Sequence, residues 1–298
     1  MKVLDSPVLE SVRPFISDNT EQLYQSLNEH QAFYMFDNMI LTKLRKQISN
    51  LPLLLQAFHQ SPIFLIPDVV LEESFRNIPT KERYNDYYFE LFKQLSAKKQ
   101  LYIISMETIY QLLAKGMTKK QYIFDAMKQL ALEAFRVNRD IINNLERCEL
   151  SSFSDLPKLR QIILHNGNNA GERFICFFAL LLVHQYYGPA YICSDDGKGV
   201  YTMYSTFVNN ESLFRMLDVD DFLMLKEQYI LLSYDCILQL SIKNTGLSSK
   251  EIYAFVQSSG RNESRKVLYS LDGQSFHTEI KNANFAKWIE EGKIEIFF

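Results

Sequence analysis

Four short acidic segments carry the chemistry open to this chain: Phe36-Asp37, Pro67 to Glu73, Gly171-Glu172 and Ser194-Asp195-Asp196. Each ends or follows an apolar run, or opens the next one. Two carboxylates about 4 Å apart repel by roughly 4 kcal/mol at an effective dielectric near 20, so three or four gathered in one place stay ionised only around a divalent cation. If folding brings these segments together, the predicted chemistry is metal-assisted.

The elements that must position them follow from hydrophobic spacing. Gln31 to Phe36 reads as a short strand, and Ile40, Leu41, Leu44 and Ile48 continue at helical spacing, which puts Asp37 at a strand-to-helix junction. Ser61-Pro62 opens a second strand, Ile63 to Ile66, and Pro67 suits the first turn of a helix carrying Val70, Glu73 and Phe75. Ala190 to Cys193 predicts a buried strand running into Ser194-Asp195-Asp196-Gly197, and Gln100 to Met106 is a further candidate strand. The clearest helix is expected from Thr118 to Cys148. Ile123, Met127, Leu130, Ala134, Val137, Ile141 and Leu145 form its stripe, and Thr118 with Gln121 a capping box.

Strands alternating with helices predict an α/β fold, a three-layer sandwich around a mainly parallel sheet. Ligands of such sheets bind beyond the carboxyl ends of the strands, where three of the acidic segments fall. After about Asn210 the pattern changes: Val219 to Ser233 reads as helical, Ser248 with Glu251 as a second capping box, and Lys293 to Phe298 as a terminal strand. The expected organisation is a main domain over 1–210 and a small C-terminal α+β module over 211–298, free to pack onto the main sheet.

With 298 residues, 47% of them apolar, the chain can bury an extensive core. A net charge of -3 gives no global basic field, so nucleic-acid binding would need a local patch. Cys148, Cys176, Cys193 and Cys236 show no CxxC spacing and read as reduced core thiols. The longest apolar run, 174–183, is too short for a membrane span, and the N-terminus is too acidic for a signal peptide, so a cytoplasmic location is expected. There is no G-x-S-x-G, HExxH, G-x-x-x-x-G-K-[ST] or G-x-G-x-x-G pattern. The histidines do not pair at ligand spacing; His165, ahead of Asn166-Gly167-Asn168-Asn169, reads as an ordinary loop histidine, with a position lining a cleft as the alternative.

In their order, the acidic segments resemble those of the PIN-domain family of metal-dependent nucleases, over roughly residues 31 to 210. The matching elements are Tyr34-Met35-Phe36-Asp37 before Ile40-Leu41, Ile66-Pro67-Asp68-Val69-Val70-Leu71-Glu72-Glu73, Asn169-Ala170-Gly171-Glu172, and Tyr191-Ile192-Cys193-Ser194-Asp195-Asp196. Asn38 and Met39 stand where the family usually has Thr or Ser followed by Asn. Within the second element the spacing favours Glu73, with Glu72 the alternative. Within the fourth it favours Asp196, with Asp195 beside it. The long separation of Glu73 from Glu172 implies a helical insertion over about 80–150.

The resemblance implies a PIN-like fold and hydrolysis of a phosphodiester, with RNA the favoured substrate and Mg²⁺ or Mn²⁺ as cofactor. Asp37, Glu73, Glu172 and Asp196 would be catalytic, and Asp37, Glu172, Asp195 and Asp196 would hold metal. Ser194, Lys198 and Arg173 would meet substrate, Ser194 also being able to hydrogen-bond a ligand carboxylate. Arg76, Lys81 and Arg83, and a second basic cluster of Arg261, Arg265 and Lys266, are further candidates for phosphate contacts. A protein partner could dock on the insertion or the C-terminal module; no membrane is implied. The alternative is a PIN-like module without catalysis that binds nucleic acid or protein.

Overall fold

The strands β1 (Phe33–Phe36), β2 (Ile63–Pro67), β3 (Gln100–Ile104), β4 (Ala190–Cys193) and β5 (Tyr229–Leu232) are short, almost uninterrupted apolar runs. Such runs suit strands covered on both faces, and here they form a five-stranded parallel sheet in the order β3-β2-β1-β4-β5. The computed structural model describes residues 3–29, 32–58, 62–78, 80–97, 100–116, 120–136, 138–164, 170–185, 187–210, 227–243 and 245–298.

Helix α1 (Thr20–Glu29) precedes β1, and between the strands the described residues form α2 (Asn38–Lys46), α3 (Leu51–Leu54), α4 (Asp68–Asn77), α5 (Lys81–Ala97), α6 (Met106–Gly116), α7 (Lys120–Ala134), α8 (Arg139–Arg147), α9 (Leu156–Ile163), α10 (Ala170–His184) and α11 (Val200–Val208). Phe174 to Leu182 of α10 are fully buried, as expected of a helix apolar all round, and α10 packs across β1, β2, β4 and β5. Elsewhere α5 packs against β3 and α2. The helix-flanked parallel sheet agrees with the α/β expectation.

The chain steps outward from β1 to β2 and β3, then returns past β1 to place β4 on its other side. The crossover direction therefore reverses between β1 and β4, which makes the crevice beyond their carboxyl ends the natural ligand position of this sheet. Phe36 pairs with Cys193, so Asp37 and Ser194 emerge side by side at that point. The Asp37 N–H donates to the Cys193 carbonyl at 3.1 Å.

Beyond β5 come α12 (Tyr234–Ile242), α13 (Ser249–Ser258), β6 (Ser264–Leu271), β7 (Gln274–Lys281), α14 (Asn282–Glu290) and β8 (Ile294–Ile296). These last three strands form an antiparallel sheet in the order β7-β6-β8. Asp272 and Gly273, both at positive φ, make its hairpin turn, the conformation that an Asp-Gly pair favours. The Gln239 side chain of α12 donates to the Ile294 carbonyl at 2.5 Å and accepts from the Ile296 N–H at 2.9 Å, tying this sheet to the helix that follows β5.

Several expectations need correction. The helix expected over Val219 to Ser233 contains β5 instead: a buried run such as Tyr-Ile-Leu-Leu has no periodicity to separate strand from helix. Residues 219–226 lie outside the described residues. Because β5 completes the central sheet, a boundary after residue 210 does not coincide with the division between the two sheets. The expected helix from Thr118 to Cys148 is broken, since Asn138 accepts from the Ile141 N–H and starts α8 as a new helix. Thr118 and Val137 lie outside the described residues. The region 80–150 is not wholly helical either, because it includes β3, the edge strand of the sheet.

The Ser248–Glu251 capping box is present, and all four cysteines are free and buried. No described helix is long and apolar enough to cross a membrane.

Candidate acidic site

Asp37 takes its position from two local facts. It ends a buried strand, and as the N-cap of α2 its Oδ1 accepts from the Ile40 N–H at 2.7 Å. Its Oδ2 accepts from the Ser194 hydroxyl, and Ser194 Oγ in turn accepts from the Asp196 N–H at 3.1 Å. Ser194 thus couples the carboxyl ends of β1 and β4 through a side chain with no exposed surface. The Ser194 hydroxyl holds the Asp37 carboxylate, and because it is enclosed and engaged it is not open to a substrate.

Glu172, in the first turn of α10, completes the group. Burial raises its carboxyl above the usual range, and the charges of Glu73 and Asp196 add to that shift. Asp37 is pushed up to about 7, chiefly by burial, with the charges of Asp195 and Glu172 acting in the same direction and its two hydrogen bonds opposing. Glu172 Oε2 is buried with no hydrogen-bond partner, and so is Asn38 Oδ1 in the residue following Asp37. A buried carboxylate oxygen without a donor costs free energy of the order of 1–3 kcal/mol or more. Oxygens left this way beside other carboxylates fit a site completed by a cation.

The alternatives at the second and fourth segments separate by their partners. Glu72 is engaged by Arg160 at 2.7 Å and by Arg76 at 3.4 Å. The Glu73 Oε2 lies 3.1 Å from where a Cβ would stand on Gly171, and partial burial of the carboxyl raises its pKa. A Cβ at Gly171 would crowd the end of the Glu73 side chain and a Val70 methyl, each of which would have to give by a few tenths of an ångström. Glu172 feels the charges of Glu73 and Asp196, and Asp37 feels that of Glu172. Asp196 is half-buried, and its Oδ1 accepts from the Lys198 N–H at 2.9 Å.

Asp195 belongs to a different set of contacts, which corrects its place among the expected metal ligands. Its carboxylate is 2% exposed and is bound by Lys43, by Arg265 at 2.7 Å and by the Tyr234 N–H at 2.8 Å. Burial works against its charge, but Arg265 and Lys43 outweigh it and hold the carboxyl below the usual range. Arg265 also reaches Asp235 at 3.2 Å, and Asp235 pairs with Arg261 at 3.0 Å. Nothing in the spacing of these residues marks the network, since its members meet only after folding.

The expected substrate-facing cations are placed variously. Lys198 is exposed; Arg173 is half-buried and donates to the Ile163 carbonyl at 2.5 Å, joining α9 to α10. Arg76 and Arg83 are exposed, and Lys81 pairs with Glu10. Arg261 is buried, which removes it from any phosphate contact, while Lys266 is exposed. His165 and Asn166 to Asn169 lie outside the described residues. Among the described residues, no group of three His, Cys, Asp or Glu stands in metal-holding geometry.

The electrostatics predict a stability profile. A carboxyl whose folded pKa is raised contributes stability that is full below its unfolded value and is lost as pH rises through its folded value. For Asp37 the window runs from 3.8 to about 7, and Asp68, raised to about 6 mainly by burial, acts in the same direction. A tenfold change in proton affinity is worth about 1.4 kcal/mol, so Asp37 alone withdraws on the order of 4 kcal/mol across that window. Urea melts at pH 5 and pH 8 in the presence of chelator should show the lower stability at pH 8; equal stability at both would contradict the buried-carboxyl assignment.

Comparison of the chain with protein-family models, with curated proteins and with solved structures gives no match.

Proposed function

We propose that this protein is a metal-dependent nuclease of PIN-like type that hydrolyses phosphodiester bonds, most naturally in RNA. The observation that carries the reading is the unpartnered, buried Glu172 Oε2, grouped with Asp37, Asp196 and Glu73 at the crossover reversal between β1 and β4. Carboxylate oxygens of this kind suit Mg²⁺ or Mn²⁺.

When bound there, the cation supplies a lowered pKa for water and offsets charge developing on the phosphate. The chain supplies the rest. Asp37, Glu172 and Asp196 would hold the ion. Ser194 and the Ile40 N–H keep Asp37 in one orientation, so that little rearrangement is needed on binding. Glu73, exposed at the rim beside Gly171, is the carboxylate open to the water that attacks the phosphorus. Lys198, on the exposed turn following Asp196, is placed to meet a substrate phosphate.

The test is paired. Calorimetric titration should show Mn²⁺ binding that weakens at least about 10-fold in Glu172→Gln, and single-stranded RNA should be cleaved with Mn²⁺ but not with chelator. A wild-type protein that binds no Mn²⁺, even with RNA present, would instead favour an interaction module without catalysis. That reading draws on Asn38 and Met39, the latter 45% exposed beside Asp37.

A further inference from the structure

The ionic network around Asp195 joins the two sheets at one sensitive place. Asp195 lies between Ser194, which holds Asp37, and Asp196, whose N–H rests on Ser194. Its own carboxylate receives Lys43 from α2, the Tyr234 N–H from the start of α12, and both terminal nitrogens of Arg265 from β6. Arg265 is bound in turn through Asp235 to Arg261, and Arg261 donates to the Ile280 carbonyl at 3.2 Å and to Asn282. Every step is an ion pair or hydrogen bond between half-buried or buried groups.

We propose that Arg265 is a positioning residue, through which the C-terminal antiparallel sheet fixes the Ser194-Asp195-Asp196 turn in the geometry that binds the metal. The inference rests on the nuclease reading and deepens it, assigning to the C-terminal sheet the job of holding the acidic site together. The physical reason lies in the backbone. A turn carrying two adjacent aspartates beside two further carboxylates is pushed outward by like charge. Lys43 and Arg265 neutralise Asp195, and Arg265 ties its side chain to β6, leaving Asp196 as the carboxylate of the pair available to the site. A planar guanidinium binding two carboxylates at once sets orientation as well as charge, which an ammonium does less well.

The experiment compares wild type, Arg265→Lys and Arg265→Met for Mn²⁺ affinity by calorimetry, for kcat and KM on single-stranded RNA, and for thermal unfolding. The expected result is a 10- to 100-fold loss in Mn²⁺ affinity and in kcat for Arg265→Met, with KM for RNA little changed and Arg265→Lys in between. If Arg265 touched RNA directly, KM would rise while Mn²⁺ affinity stayed at the wild-type value, and the proposal would be overturned. A lower unfolding temperature with wild-type Mn²⁺ affinity and kcat in the folded protein would overturn it too, leaving Arg265 a merely structural residue. Should Arg265→Met fail to fold, Arg265→Lys decides by the same readouts. Wild-type protein that neither binds Mn²⁺ nor cleaves RNA would sink the nuclease reading itself, an outcome distinguishable because it appears before any substitution is made.

Discussion

Replacing Asp37 with Asn is expected to abolish Mn²⁺-dependent cleavage while making the metal-free protein more stable at pH 8. Asn caps a helix about as well as Asp, so the Ile40 N–H keeps a partner and the start of α2 survives. What disappears is the charge. In the folded protein Asp37 is 2% exposed, raised to about 7 by burial first and by neighbouring carboxylates second, so ionising it at pH 8 opposes folding. Removing that cost should stabilise the chelated protein by about 1–3 kcal/mol, less than the full linkage because Asn forfeits part of the Ser194 contact. Loss of a central ligand removes several kcal/mol of charge stabilisation in the transition state, and each 1.36 kcal/mol is a factor of ten, so cleavage should fall by about 1,000-fold or more. Denaturant melts with and without Mn²⁺ and single-turnover cleavage measure the two effects separately. Opposite signs in one variant mark a residue kept for function at the expense of stability. A less stable and fully active variant would place Asp37 among structural caps.

The second large effect is on folding. Asp235 and Arg261 are 1% and 0% exposed at their side chains, and their contact links α12 to the segment preceding β6. Arg261 also stacks over the Phe285 ring at 4.6 Å and donates to Asn282, so it binds α14 as well. Removing one partner of a buried pair costs about 3–5 kcal/mol when the charge left behind has no other partner; Asp235 keeps Arg265 at 3.2 Å, so the lower end of that range applies. At about 3 kcal/mol and 2–4 °C per kcal/mol, Arg261→Met should lower the melting temperature by roughly 6–12 °C. The double variant Asp235→Leu/Arg261→Met should recover most of the loss, since no buried charge is then stranded between these two positions. Calorimetric melts decide the matter; a double variant no more stable than the single one would show that the arginine acts mainly through its hydrogen bonds to Ile280 and Asn282.

Much of this molecule was legible from local pattern. Asp37 stands out in the sequence as a candidate because it directly follows a four-residue apolar strand, and Asp196 because it comes three residues after another. Glu73 and Glu172 were readable from a Pro-initiated helix and a Gly-Glu helix start. The β5 strand was misread because four buried apolar residues carry no period, and the break before α8 because the heptad-like stripe continues across Asn138.

Local pattern was enough for β1 to β4 and for the acidic residues that follow β1, β2 and β4, since strand, cap and turn preferences act between residues a few positions apart. Which carboxylate of each adjacent pair is tied up in ion pairs emerges only from the packed fold. Glu72 is drawn to Arg160 and Asp195 to Lys43 and Arg265, partners 88, 152 and 70 residues away along the chain. Charges pair by distance in space, and no spacing in the chain records that distance before the sheets have packed.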